Sequence, residues 1–149
     1  MTNYSKIAQE IVAEFSFYDD WMDKYEHLIS MGKELPPLAA QEKSDDFLVK
    51  GCQSRVWLHT SVQNNTVVFR ADADALIAKG IIALLIRVFS GQPAEDIVKA
   101  ETHFIDEIGL TEHLSPNRGN GLMAMIRAIK SSAAQSITVK PLNSHGRKV

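Results

Sequence analysis

The sequence predicts an α+β domain in which a small antiparallel three-stranded sheet packs against flanking helices. Three observations carry this expectation. Apolar residues recur at helical spacing toward both ends of the chain. In the middle the hydrophobic pattern shifts to a period of two, and Asn64-Asn65 separates two strand-like runs. The order is helices, sheet, helices, which differs from the βαβ alternation of a parallel sheet.

Ile7, Ile11, Val12 and Phe15 share one helical face and mark a first amphipathic helix. A second runs from a cap at about Asp19 to a stop at Gly32, with Trp21, Tyr25, Leu28 and Ile29 on its apolar side. Asp19, Asp20, Asp23, Lys24 and Glu26 read as its solvated face. Pro36-Pro37 then holds the chain extended. Phe47-Leu48-Val49 reads as a short strand ending at Gly51. From Arg55 the pattern alternates, with Val56, Leu58 and Val62 on one face and Arg55, Trp57 and His59 on the other. Thr66–Arg70 follows the Asn64-Asn65 turn, since asparagine tolerates the left-handed conformation that a tight hairpin requires.

Asp72 or Asp74 can cap a helix from Ala75 to Phe89 that places Leu76, Ile77, Ile81, Leu84, Leu85 and Val88 inside. Only Lys79 and Arg87 interrupt its apolar surface, so it is expected to be the buried central helix. Gly80 in its middle points to close packing against the sheet. Ser90-Gly91-Gln92-Pro93 ends that helix, and Pro93 with Glu95 and Asp96 opens a short one. A further turn or two precedes Gly109, and a long helix begins near Asn117. Residues 1–140 read as one domain, and Pro141 to Val149 as a polar tail.

Composition removes several function classes. The 149 residues are 45% hydrophobic, enough for one core, and carry 16 basic against 18 acidic side chains. A net charge of −2 without a basic stripe argues against nucleic acid as a partner. The most apolar run, Gly80 to Phe89, is too short for a membrane span of about 20 residues and contains Arg87. No signal-like apolar segment follows Thr2-Asn3-Tyr4-Ser5, so the expected location is the cytoplasm.

Cys52 is the only cysteine. One thiol forms no internal disulfide and supplies neither a zinc knuckle nor the four thiolates of an iron–sulfur cluster. Most lone cysteines are small buried hydrophobes. Cys52, however, follows Gly51 at a turn between strands, where glycine frees the backbone and can hinge a loop. Lys50 and Arg55 nearby favour the nucleophilic thiolate. A protease-like role needs a histidine base, yet His27, His59, His103 and His113 are scattered outside any signature. Asp72 with Asp74 reads as a helix entry instead of a metal pair. Gly119-Asn120-Gly121 lacks the strand and lysine of a phosphate loop.

Five blocks stand in order along the chain: Tyr25–Ile29, Gly32–Leu38, Gly51-Cys52-Gln53-Ser54-Arg55-Val56-Trp57, Asp72–Ala75 with Gly80, and His113–Leu122. Through them the chain resembles the SufE family of sulfur-acceptor proteins, including its CsdE branch, up to about Lys140. Ala73 and Gly119 stand where the family more often has serine. Arg55 replaces a frequent glutamine, although the CsdE branch also uses arginine there.

The resemblance implies a SufE/IscU-like fold and places the acceptor thiol at Cys52, with Gly51, Gln53, Arg55, Asp74 and Arg118 as loop supports or partner contacts. It implies an accessory sulfur-transfer protein instead of an enzyme. The partner would be a cysteine desulfurase of the SufS or CsdA type, which this chain would stimulate by draining its persulfide. The recipient would be an iron–sulfur scaffold, and this chain a monomer or homodimer. No cofactor or metal is expected on this chain, because the pyridoxal phosphate belongs to the desulfurase. The alternative is a regulatory module that binds the desulfurase, with Cys52 purely structural.

Overall fold

Two amphipathic helices open the computed structural model, which describes residues 2–138. Helix α1 (Asn3–Ser16) buries Ala8, Ile11 and Phe15 and is capped by Thr2. Helix α2 (Trp21–Lys33) is capped by Asp20, one residue beyond the expected Asp19. The Asp20 carboxylate accepts the Asp23 amide at 2.9 Å, satisfying a donor that the first turn leaves free.

Gly32 does not stop α2; it lies inside the last turn and faces Gly80 of helix α3 (Leu76–Phe89). A Cβ at Gly32 would sit 2.8 Å from the Gly80 amide nitrogen, and one at Gly80 would sit 2.8 Å from the Leu28 carbonyl carbon. Gly80 therefore serves a backbone contact with α2, not the expected contact with the sheet. Gly80→Ala should force the two helices apart. Overpacking of this kind costs about 1–3 kcal/mol, so the thermal midpoint is expected to fall by roughly 3–10 °C. An unchanged melting curve would refute this account of the helix pair.

As expected, α3 is the buried central helix. Ile81, Ile82, Leu84, Leu85, Val88 and Phe89 lie inside, whereas Leu76, expected with them, is 60% exposed in the first turn. Neither Asp72 nor Asp74 caps it: Ala75 holds that position with no side-chain bond. Asp72 is buried and accepts from the Ala73 amide at 2.8 Å, with the Lys79 and Lys43 ammonium groups at 3.2 and 3.4 Å. Burial alone would raise its pKa, but the Ala73 and Leu38 amides and Lys79 together bring it below the usual value. Asp72 thereby ties the segment after Pro36-Pro37 to the sheet and to α3.

The sheet has order β1-β2-β3 and is antiparallel throughout. Strands β1 (Val56–Gln63) and β2 (Thr66–Ala73) pair from Val56↔Ala73 to Gln63↔Thr66. Asn64 and Asn65 take φ of 51° and 66°, the left-handed pair of a two-residue hairpin turn. The third strand differs from expectation. Phe47–Val49 contributes only one bridge, Leu48↔Trp57, because a 3-10 turn at Asp45–Phe47 precedes it. The real third strand is β3 (Gln92–Pro93), in the stretch expected only to end a helix. Gly91 at φ 85° turns the chain back, donates to the Val67 carbonyl, and brings Ser90 Oγ to the Phe69 amide. The alternation expected of β1 holds only in part. Val56 and Trp57 are both buried and Val62 is 57% exposed, since the far half of the hairpin runs beyond the helical layer.

Short helices α4 (Ala94–Lys99), α5 (His103–Glu107) and α6 (Leu110–His113) lead to the long α7 (Pro116–Thr138). The expected tail from Pro141 lies outside the described residues. Among the described residues no helix is long and apolar enough to cross a membrane.

Candidate functional site

A six-residue loop, Lys50 to Arg55, stands between the Leu48↔Trp57 bridge and the start of β1. Its base is closed by the Val49 amide, which donates to the Val56 carbonyl at 2.8 Å. Its outgoing limb is held by Asp74: the Arg55 amide donates to Asp74 Oδ1 and the Asp74 amide to the Arg55 carbonyl, both at 3.0 Å. Two fixed ends thus frame a loop with few ties of its own. At its apex Gly51 takes φ 97°, a region costly for any residue with a Cβ.

The loop rests on α7. A Cβ at Gly51 would lie 3.1 Å from the Ala124 Cβ. Cys52 is half-buried, and its thiol donates to the Gly121 carbonyl at 3.6 Å. Beside the sulfur opens a cavity of about 430 Å³. Ala78, Ile81 and Met125 supply its apolar floor, and Gln53, Ser54, Ser115, Asn117 and Arg118 its polar wall. The segment that leads into Ser115, Asn117 and Arg118 is anchored on α2 at His113: Trp21 stacks on it with ring centroids 3.9 Å apart, and Tyr25 Oη donates to its carbonyl. On the other side of the loop lies a groove of about 510 Å³, lined among others by Lys50, Leu58, Ala124 and Arg127.

The structure therefore brings Gln53 and Arg118 into the wall around Cys52 and puts Gly51 at the loop's positive-φ turn. Arg55 and Asp74 clamp the loop without lining the cavity. Among the described residues no histidine lines the cavity. His27 meets Glu14, His59 meets the Glu42 carbonyl, His103 meets Glu101 and His113 stacks on Trp21. The described wall therefore holds no triad-type histidine base. Among the described residues no cluster of three or more His, Cys, Asp or Glu could hold a metal ion.

A family model described as "Fe-S metabolism associated domain", SufE, matches residues 9–133, which include α7 up to Ala133 and the whole cysteine loop. The chain belongs to the SufE family. An uncharacterized SufE-like protein of Rhizobium etli is 40% identical over 129 residues, covering 83% of this chain and 87% of that protein. Another from Rhizobium meliloti is 38% identical over 129 residues, covering 83% and 92%. The solution structure of a hypothetical protein from Thermus thermophilus superposes with a TM-score of 0.74 at 19% identity, over 89% of this chain and 97% of that one. That likeness bears on the fold. The family places this SufE domain in iron–sulfur metabolism.

The electrostatics of the SufE loop differ from the sequence expectation. Burial pushes the Cys52 thiol above its ordinary value, and Arg127 offsets only part of that rise. Neither Lys50 nor Arg55, the expected cations, acts on the sulfur. Arg127 and the Gly121 carbonyl, 75 and 69 positions from the cysteine, were not singled out as its contacts in sequence; the His113–Leu122 block offered only Arg118 as a site residue. A raised pKa leaves the thiolate scarce at neutral pH. Alkylation of Cys52 by iodoacetamide should thus climb with pH and reach its midpoint above the ordinary thiol value of 9.0. A midpoint below that value would show that the cations dominate over burial.

Proposed function

We propose that this SufE domain accepts a sulfur atom on Cys52 from the persulfide of a cysteine desulfurase and passes it to an iron–sulfur scaffold. The observation that carries the reading is the pairing of a lone thiol, inside the family-matched region, with a loop turned by a positive-φ glycine and an adjoining cavity. The Cys52 thiolate attacks the outer sulfur of the donor's persulfide. The donor's S–S bond breaks as the new one forms, and the donor thiolate leaves carrying the charge. Cys52 gives up one proton and the donor thiolate can take one, so no net oxidation occurs and no cofactor is required on this chain. The pyridoxal phosphate that first removes sulfur from L-cysteine belongs to the desulfurase. Draining the donor's persulfide frees it for another turnover, so this protein also acts as an activator.

The resting geometry suits such a carrier. The thiol is protonated, partly covered and bonded to a carbonyl, and hence idle toward stray electrophiles. Moving the loop into water would remove the burial that raises its pKa. The cavity beside Sγ offers room for an added sulfur away from cellular thiols, which would strip it by exchange. The deciding experiment mixes the protein with a SufS- or CsdA-type desulfurase and L-cysteine, then weighs the Cys52 peptide under non-reducing conditions. A gain of one sulfur atom is expected; no gain would sink the reading.

One observation favours the regulatory alternative: a half-buried thiol with a raised pKa, bonded to Gly121, is also how a structural cysteine looks. That module would stimulate the desulfurase without carrying sulfur.

A further inference from the structure

We infer that the Cys52 loop is ringed by a cationic collar that docks an acidic rim on the protein delivering the sulfur. The inference rests on the carrier reading and adds the chemistry of the surface that the partner must present. Lys50 and Arg127 line the groove on one side of the loop, Arg118 lines the cavity on the other, and Arg55 ends the loop. All four are exposed, and among the described residues none has an ion-pair partner.

Five cations elsewhere among the described residues are committed. Arg70 binds Glu42, Arg87 binds Glu14, Lys43 and Lys79 bind Asp72, and Lys130 donates to the Val98 and Ala100 carbonyls. The carboxylates near the collar are few. Asp46 lines the groove with Lys50 and Arg127, and Asp74 is occupied by the Arg55 amide. The first turn of α7, the positive end of a 23-residue helix, adds to the same wall. In a chain of net charge −2, four unpaired cations thus flank the one loop that carries the thiol.

Exposed, unpaired charges contribute little to folding but act on encounter. A patch of one sign steers an oppositely charged partner and can raise association by roughly 10- to 1000-fold at low ionic strength. The patch surrounds the group that must enter a partner's active site, so the occupant that fits is a protein surface whose persulfide-bearing opening is edged with Asp and Glu. Steering toward such an edge would orient Cys52 as well as capture it.

The test compares Lys50→Glu, Arg55→Glu and the double variant with Lys33→Glu and Lys99→Glu, exposed lysines that line neither depression. Arg118 and Arg127 stay intact because one lines the cavity beside the sulfur and the charge of the other bears on the thiol. Desulfurase turnover on L-cysteine is measured against the concentration of this protein at about 0.01 M and about 0.15 M ionic strength, where the screening length falls from about 30 to about 8 Å. The double variant is expected to raise the KM for this protein about tenfold at low ionic strength and less than about twofold at 0.15 M. Turnover at saturation should hold, and the distant controls should follow the wild type. A double variant that matches the controls overturns the collar, as does a KM that rises equally at both ionic strengths. So does an unchanged KM beside tight retention of the wild type by duplex DNA, which would reassign the patch to phosphate binding. Wild-type protein that never gains sulfur overturns the carrier reading and the collar with it. Normal loading of the wild type beside unaffected reversal variants removes the collar alone.

Discussion

Cys52→Ser is expected to abolish sulfur acceptance while leaving the fold and desulfurase docking in place. The side chain is half-buried and makes one polar contact, to the Gly121 carbonyl, which a serine hydroxyl can also make. Stability should therefore change by no more than about 1 kcal/mol. Reactivity is another matter. A serine hydroxyl attacks only when an adjacent base takes its proton, and among the described residues no histidine lines this cavity. Mass spectrometry after incubation with desulfurase and L-cysteine should find no added sulfur on residue 52, and stimulation of turnover should vanish. A serine variant that binds and still stimulates fully would favour the regulatory alternative, since draining of the persulfide would then be irrelevant to activation.

Much of this architecture was legible in the sequence, and the misreadings have physical causes. The helices at both ends and the β1–β2 hairpin are written in local periodicity and in the Asn64-Asn65 turn, which individual residues dictate. The third strand was not legible. Gln92–Pro93 becomes a strand only because Gly91 and Ser90 bond the edge of β2, a partner 21 to 27 positions away. The aspartates expected to cap α3 are consumed by tertiary partners, Asp72 by two lysines and Asp74 by the Arg55 amide. Gly32 looked like a helix stop and Gly80 like a contact with the sheet, and they prove to be two halves of one helix contact.

The site divides in the same way. The lone thiol after a turn glycine was visible in the sequence, and Gln53 and Arg118 do share the cavity wall beside it. What sets the thiol's reactivity could not be found, because Gly121, Arg127 and the apolar floor come from helices distant in sequence. The nearby charges Lys50 and Arg55 misled the electrostatic expectation. Their ammonium and guanidinium groups face solvent, where charges are screened, while the sulfur faces α7.

Gly51→Val should unseat the loop, and the result expected is a Cys52 that alkylates at least about tenfold faster at neutral pH, a factor worth about 1.4 kcal/mol. Two features of the resting loop oppose valine. A φ of 97° is unfavourable for any residue bearing a Cβ and worst for a β-branched one. The new Cβ would also press to 3.1 Å from the Ala124 Cβ before its two methyl groups are counted. The left-handed strain alone is worth about 1–2 kcal/mol, so the loop should leave α7 for a position with negative φ. Departure breaks the bond to Gly121 and exposes the sulfur, and loss of burial lowers the thiol's pKa, so both effects quicken labelling. The same change should make a loaded persulfide short-lived in glutathione, because its sulfur no longer reaches the cavity. Gly91→Val separates this from general strain: Gly91 sits at φ 85° with nothing within 4 Å of its Cβ position, away from the thiol. That control should lose stability yet alkylate Cys52 at the wild-type rate. If Gly51→Val and Gly91→Val label alike, the loop does not shelter the sulfur and Gly51 is no hinge; if only Gly51→Val labels fast, the resting position is what keeps Cys52 quiet between partners.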